Sequence, residues 1–171
     1  MLFRSQYGTK WLSAMPTNLY GPGDNYDLET SHVLPALIRK MHDARKIGAK
    51  EIVLWGSGTP KREFLFSDDL ASALIFLAML PPEQLDRLVN PVQCPLINIG
   101  SGEDLTVREL AETIAAVVGY QGRFVQDASK PDGTMRKLLD VSRLHDLGWH
   151  SATSLTEGLK LTHGDFVARY P

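Results

Sequence analysis

The sequence predicts a single α/β domain, and three observations support that prediction. Strand candidates and helix candidates alternate along the 171 residues, which is typical of a sheet covered by helices. No linker rich in proline, glycine or serine divides the chain. A chain of this length corresponds to about one domain and can bury a substantial hydrophobic core.

Each strand candidate is a short, mostly apolar stretch bounded by proline, glycine or other turn residues. In the third candidate, Phe64 and Phe66 share one side, as the two-residue period of a strand requires. The five candidates are 10–15, Glu51–Trp55, Lys61–Phe66, Leu96–Ile99 and 123–126.

Each helix candidate combines apolar residues at helical spacing with start and stop signals. Thr106 and Ser154 are each followed three residues later by glutamate, the pattern of a capping box. The second candidate is broadly apolar, so we expect it to be buried. The candidates begin at caps formed by Thr30 or Ser31, Ser67, Thr106, Asp140 or Ser142, and Ser154, and they end near Lys46, Pro81, Gly119, Gly148 and Arg169.

The composition argues against several kinds of partner. A net charge of −2 gives no bulk electrostatic basis for binding nucleic acid or a membrane surface, and no apolar run approaches the length of a membrane span. The single cysteine, Cys94, excludes an internal disulfide framework, so we expect a reduced, cytoplasmic setting. The five histidines lack the spacing of a metal site, and no metal is expected.

The stretch most typical of a functional site is the polar loop at 16–30. It contains two Pro, two Gly, two Asn and two Asp, and it connects the first strand candidate to the first helix candidate. Loops of this size in compact domains are uncommon unless they carry function. In α/β proteins, loops at strand ends are the usual location of binding sites.

Three motifs resemble known sites but lack the required context. Gly56-Ser-Gly58 precedes an extended segment and not a helix, so it fails as a phosphate loop. Gly100-Ser-Gly102 does open a helix, but Leu105 occupies the position of the third glycine of a dinucleotide loop. Tyr7-Gly-Thr-Lys10 is one residue too short for a tyrosine–lysine pair on one helical face.

His32 differs from the other histidines because it lies at the start of a helix directly after the polar loop. An imidazole there is disfavoured as a cation and could exchange a proton near neutral pH. On the residues alone, a histidine of the capping region remains the stronger interpretation and a catalytic one stays open.

Three further side chains fit a nucleotide diphosphate, although each alone is typical of a surface charge or a packed aromatic. Arg62 offers a bidentate fork for phosphate and Lys40 a point charge. Trp55, at a strand end, could stack on a base.

Several motifs together resemble the GDP-L-fucose synthases, which are extended short-chain dehydrogenases. The resemblance covers nearly the whole chain in the right order. The D-A-S-K-P-D-G stretch and the S-H-V-x-P helix opening are its most specific parts. The matching motifs are Pro16-Thr-Asn-Leu-Tyr-Gly-Pro22 with Asp24-Asn25, Ser31-His-Val-Leu-Pro-Ala-Leu37, Trp55-Gly-Ser-Gly-Thr-Pro-Lys-Arg-Glu-Phe-Leu65, Asp127-Ala-Ser-Lys-Pro-Asp-Gly133 and Arg136-Lys-Leu-Leu-Asp140.

The resemblance implies an NADPH-dependent enzyme that epimerises and then reduces GDP-4-keto-6-deoxy-D-mannose to GDP-L-fucose. By similarity, His32 matches the histidine acid of the epimerisation, close to the nicotinamide. Four residues match the segment along the NADP(H) cofactor, and four match positions that hold the GDP-sugar. The cofactor set is Pro16, Thr17, Asn18 and Leu19, and the GDP-sugar set is Lys40, Trp55, Arg62 and Asp132.

The resemblance also implies the C-terminal half of such an enzyme. The family's glycine-rich loop, its Tyr-x-x-x-Lys set and its catalytic cysteine have no counterpart here, and Cys94 lies in an unrelated context. We therefore expect one α/β unit in which 1–25 is a remnant of the Rossmann domain and 26–171 is mainly a substrate-binding domain. A non-catalytic GDP-sugar binding fragment and a UDP- or dTDP-sugar epimerase remain alternatives. The full-length family is expected to be homodimeric.

Overall fold

The computed structural model describes residues 6–89 and 95–170, so Cys94 lies outside the described residues. The chain is a mixed α/β protein, as the sequence predicts. The strands are β1 (Ser13–Pro16), β2 (Asn18–Tyr20), β3 (Glu51–Trp55), β4 (Lys61–Phe66), β5 (Leu96–Ile99), β6 (Asp104–Thr106), β7 (Arg123–Asp127) and β8 (Arg136–Lys137). The helices are α1 (Val33–Lys46), α2 (Ser67–Ala78), α3 (Pro82–Leu88), α4 (Val107–Val118), α5 (Ser142–His145) and α6 (Leu155–Arg169).

The described strands form three small sheets. β1 pairs with β5 and β3 pairs with β7, both in parallel. In the third sheet β4 is central, because β2 and β8 pair with it in parallel and β6 pairs with it antiparallel. This arrangement places the end of β1 and the start of β2 beside β4.

Two hydrophobic clusters stabilise the fold. The first lies among α1, α4 and α6 and includes Met41, Ile114 and Phe166. The second gathers α2, β5 and α5 around Ala73, Ile97 and Leu144. β4 contributes to both, since Phe64 and Phe66 belong to the first cluster and Leu65, on the opposite side, to the second.

The helix ends confirm some sequence predictions and correct others. Both capping boxes are present, at Thr106 and Ser154. The predicted caps of the first two helices were wrong: the N-cap residues are His32 and Phe66, neither of which gives a side-chain cap. The N-cap residue of α5 is Val141, although the carboxylate of Asp140 does accept a hydrogen bond from the Ser142 N–H at 3.0 Å.

Two larger predictions also differ from the structure. The expectation that α2 is buried holds for only one face of the helix, because Leu74 and Ile75 are 44% and 61% exposed. The first strand begins at Ser13 and not at residue 10. The sequence patterns missed the short elements β2, β6, β8 and α3, because two to seven residues carry too little periodicity to be recognised.

Candidate functional site

The loop between β2 and α1 is fixed to α6 at two points. The Gly23 N–H donates to Asp165 Oδ2 at 2.9 Å, and the Tyr26 hydroxyl donates to the Thr162 carbonyl at 3.1 Å. The Tyr26 side chain is buried and packs on Phe166 with ring centroids 4.7 Å apart. These contacts hold the loop against α6.

The second half of this loop is shaped by Asp27. Its Oδ1 accepts hydrogen bonds from the Glu29 and Thr30 N–H groups and from the Thr30 hydroxyl, at 2.9–3.0 Å. These bonds lower the pKa of Asp27. Aspartate commonly fixes turns in this way, and here the turn leads directly into the start of α1 at His32.

His32 lines a cleft of about 620 Å³ between the loop, β2, β4 and β8. The structure thus brings together residues that lie far apart in the sequence. Of the predicted site residues, Thr17, Asn18, Leu19, His32 and Arg62 line this cleft, and the remaining lining residues are Asp24, Val33, Leu34, Pro35, Phe64 and Lys137. We call it the histidine cleft.

The wall formed by Thr17 and Asn18 is held by the main chain of β4. The Asn18 side-chain amide donates to the Glu63 carbonyl at 2.8 Å, and the Thr17 hydroxyl donates to the same oxygen at 3.3 Å. Pro16 does not line the cleft: it ends β1 opposite Ile99.

Arg62 and Lys137 bring positive charge to the opposite wall. The Arg62 Nη1 donates to the carbonyls of Thr134 and Lys61, at 2.6 and 2.7 Å, which fixes the guanidinium plane. Lys137 is the Cα partner of Arg62 in the β4–β8 register. Two neighbouring cations facing a cleft are suited to bind a diphosphate.

A second pocket of about 220 Å³ contains two more of the predicted residues. Lys40 and Trp55 line it, with the Lys40 ammonium 5.1 Å from the centroid of the indole ring. Lys130 approaches the same ring at 5.4 Å. We call it the tryptophan pocket. Val33 lines both cavities, so they are neighbours at the start of α1.

Asp132 lines neither cavity among the described residues and has a local partner instead. Its Oδ2 accepts from the Ser57 hydroxyl at 2.6 Å and its Oδ1 from the Ser57 N–H at 2.8 Å. These hydrogen bonds lower the pKa of Asp132. The carboxylate fits closely over Gly56, where a Cβ would lie 2.2 Å from Oδ1. The observed role of Asp132 is to shape the turn that follows Trp55.

Sequence reasoning assigned no role to two residues of the histidine cleft, Asp24 and Lys137. Burial raises the pKa of Asp24, while a hydrogen bond from the Asn25 N–H and the charge of His32 oppose that shift. Its position in the polar loop was a usable signal. Lys137 lies within the matching motif that begins at Arg136, but only the pairing of β8 with β4 brings it to the cleft.

A match to a family model identifies the family to which this chain belongs. The model of the NAD dependent epimerase/dehydratase family matches residues 2–90, just over half of the chain. The chain belongs to this family. Among its described residues, no helix is both long and apolar enough to cross a membrane.

Individual members of the epimerase/dehydratase family confirm the resemblance seen in the motifs. The chain is 54% identical over 165 residues to GDP-L-fucose synthase of Escherichia coli K12, covering 96% of this chain and 51% of that protein. It therefore spans about half the length of the curated relatives it matches.

Two solved structures share the fold. A GDP-L-fucose synthetase from Naegleria fowleri bound to NADP is 31% identical with a TM-score of 0.77, covering 93% of this chain and 47% of that one. A UDP-glucose 4-epimerase from Thermotoga maritima, in complex with UDP-glucose, is 26% identical with a TM-score of 0.80, covering 99% and 50%.

Proposed function

We propose that this chain forms the sugar-nucleotide-binding half of an NADPH-dependent enzyme that converts GDP-4-keto-6-deoxy-D-mannose to GDP-L-fucose. The observation that carries the proposal is that the tryptophan pocket and the histidine cleft are adjacent, with Val33 lining both. The tryptophan pocket offers an aromatic face and a lysine, and the histidine cleft offers two cations and an imidazole. A nucleotide diphosphate sugar has its base, diphosphate and sugar in that order.

The tryptophan pocket is the proposed site of the guanine base. An exposed indole gives a flat surface on which a base can stack. Because Lys40 and Lys130 already lie over the ring, one of the two ammonium groups must move aside or bind the diphosphate when a base enters. Arg62 and Lys137 then contact the diphosphate at the entrance to the histidine cleft.

His32 is the proposed acid of the epimerisation. Inversion of a carbon next to a carbonyl removes a proton and returns one to the opposite face. His32 is exposed to the cleft at the start of α1, and its ring can give a proton to the enolate carbon and recover one from water. The base that takes the first proton from the substrate is expected in the half of the enzyme that this chain does not supply. The 4-keto group activates both C3 and C5, so one acid can serve both positions.

The residues at the cleft fit one end of a nicotinamide cofactor. Thr17, Asn18 and Leu19 form a wall whose polar side chains are fixed by Glu63, and His32 faces the same space. When bound, NADPH supplies the hydride for reduction at C4. We expect these residues to orient the nicotinamide and exclude water, while the glycine-rich loop for the rest of the cofactor would come from outside this chain.

Calorimetric titration of the chain with GDP tests the binding proposal. We expect GDP to bind, and Trp55→Ala to weaken that binding about tenfold, because a stacked base contributes about 1–3 kcal/mol. Lys40→Ala should also weaken it, whereas Lys46→Ala, a matched loss of charge at the far end of α1, should leave it unchanged. The absence of GDP binding to the wild-type chain would overturn the proposal.

A second candidate substrate is a UDP-sugar, favoured by the fold shared with the UDP-glucose 4-epimerase. Titration with UDP discriminates the two, since tighter binding of UDP than of GDP would support a UDP-sugar.

Mixing the chain with NADPH and the 4-keto sugar tests whether catalysis needs a second half of the enzyme. We expect no NADPH oxidation by the chain alone.

A further inference from the structure

We propose that Asp24 is a positioning residue for His32, its carboxylate accepting a hydrogen bond from one imidazole nitrogen and leaving the other to face the substrate. The proposal rests on the function proposed above for His32. It assigns a role to a residue that the sequence motifs contain but give none.

The loop anchors fix Asp24 within the histidine cleft. Gly23, immediately before it, is bonded to Asp165 on α6 and has a φ of +87°, a conformation that glycine adopts readily. Tyr26, two residues after it, is bonded to the Thr162 carbonyl and is 1% exposed. With an anchor on each side, the main chain at Asp24 has little freedom, and its side chain lines the same cavity as His32.

One oxygen of Asp24 lacks a hydrogen bond. Oδ1 accepts from the Asn25 N–H at 2.7 Å. Oδ2 is buried and has no hydrogen-bond partner among the described residues. A buried acceptor without a donor is costly, so a nearby N–H that can rotate towards it is stabilised there. The ring N–H of His32 is the candidate donor, because His32 lines the same cleft as Asp24.

The charges around the cleft make this pairing specific. Among the described residues that line the histidine cleft, Asp24 is the only carboxylate, whereas β4 contributes Arg62 and β8 contributes Lys137, both cations. Apart from His32, the other described lining side chains are uncharged. A carboxylate bonded to one ring nitrogen fixes the tautomer and orientation of the imidazole.

The test is a nuclear magnetic resonance titration of the His32 ring in the full chain, with the resonance assigned by its loss in His32→Gln. In Asp24→Asn we expect the midpoint of the His32 titration to fall by about 0.5–1 pH unit, since a nearby opposite charge favours the protonated ring. The ratio of the two neutral tautomers, read from the ring nitrogen shifts, should also change towards an even mixture.

Asp27→Asn is the matched control, because it removes a carboxylate from the same loop while retaining an acceptor for the Thr30 N–H. Its titration midpoint should stay within about 0.2 pH unit of the wild type, as expected for a screened, solvent-exposed charge. An unchanged midpoint in Asp24→Asn, or equal falls in both variants, would overturn the proposal.

Asp24→Ser gives a second test that preserves an acceptor for the Asn25 N–H, and it should lower the midpoint as Asp24→Asn does. A midpoint in Asp24→Ser equal to that of the wild type would also overturn the proposal. GDP titration of the same variants separates this inference from the function proposed above. Normal GDP binding with an unshifted His32 midpoint would reject only the role of Asp24. The absence of GDP binding to the wild-type chain would reject the proposed substrate.

Discussion

The two hydrophobic clusters differ in how completely the chain covers them. In the first, α1 buries an entire face through Leu34, Leu37, Ile38, Met41 and Ala44 against α4 and α6. In the second, α2 buries only Asp69, Ala73 and Leu77, and all four residues of β1 are exposed. The first cluster is closed by elements of this chain, while the second leaves apolar side chains and a parallel strand uncovered.

The difference in coverage between the two clusters corresponds to the difference between the proposed nucleotide side and cofactor side of the site. The closed cluster supports the tryptophan pocket and the start of α1, where the proposed nucleotide contacts lie. The open cluster supports β1 and β5, next to the proposed cofactor contacts at Thr17 and Asn18. Because parallel strands are normally covered on both faces, we infer that the cofactor side depends more on additional protein than the nucleotide side does.

The largest expected effect is in the closed cluster. Met41 is fully buried, and Met41→Ala should lower the free energy of unfolding by about 2–5 kcal/mol because it leaves a cavity that α4 and α6 cannot fill. Urea denaturation measures the change. The control Ile47→Ala, at an exposed position just beyond the same helix, should change it by less than about 0.5 kcal/mol. Similar losses in both variants would contradict a closed core around α1.

The second prediction concerns a buried carboxylate on β4, the strand that contributes to both clusters. Glu63 is 0% exposed, and its carboxylate accepts the Gly102 N–H at 2.8 Å and the Leu139 N–H at 3.0 Å. In Glu63→Gln one of these donors faces an amide nitrogen and loses its acceptor, which should cost about 1–3 kcal/mol. Urea denaturation of the exposed Glu103→Gln is the comparison, and an equally small effect of both substitutions would show that the hydrogen bonds of Glu63 to Gly102 and Leu139 contribute little to stability.

Strong local signals made much of the fold predictable from the sequence. Thr106 and Ser154 each present a capping box that satisfies the first N–H groups of a helix by itself, and such local interactions need no tertiary context. The apolar periodicity of α1 was likewise enough to predict its buried face. The predicted cap of α1 failed because Asp27 takes the Thr30 hydroxyl and N–H into the loop, leaving His32 as the N-cap.

The candidate site was less predictable because it depends on pairing between distant segments. His32 and Arg62 were named from motifs, but only the structure places both at one cleft. Lys137 arrives there through two residues of β8, and Asp24 through contacts of its neighbours with α6. Such contacts are set by long-range packing and leave no periodic pattern in the sequence.

A third prediction uses pH to weaken the closed cluster. His42 on α1 and His163 on α6 share a hydrogen bond at 3.1 Å between ring nitrogens. Burial is the main cause that lowers the pKa of both rings below the usual 6.5. The charges of Lys46 and Arg45 add to the shift of His42, and Asp43 opposes it. The charges of His42 and Arg45 add to the shift of His163. The unfolded chain therefore binds protons more readily, so stability is fully present above about pH 6.5 and is lost as the pH falls through the folded values.

We expect thermal or urea unfolding to show this loss as the pH falls below about 6.5, and His163→Phe to make the dependence shallower. The substitution itself should cost about 1 kcal/mol at pH 7, the typical net contribution of a hydrogen bond. His150→Gln removes an exposed histidine outside the pair and should leave the slope unchanged. An identical slope in His163→Phe and the wild type would assign the acid sensitivity to other groups.

The smallest expected effect is on the open face of α2. Ile75 is 61% exposed, so Ile75→Ser removes little buried apolar surface and should change the free energy of unfolding by less than about 0.5 kcal/mol. Leu77→Ala, two residues along the same helix but buried in the second cluster, should cost several times more. If Ile75→Ser instead destabilised the protein strongly, and did so more at high protein concentration, the face would be covered in solution by another copy of the chain. The second cluster would then be completed by association, and the contrast between the two clusters would hold only for the isolated monomer.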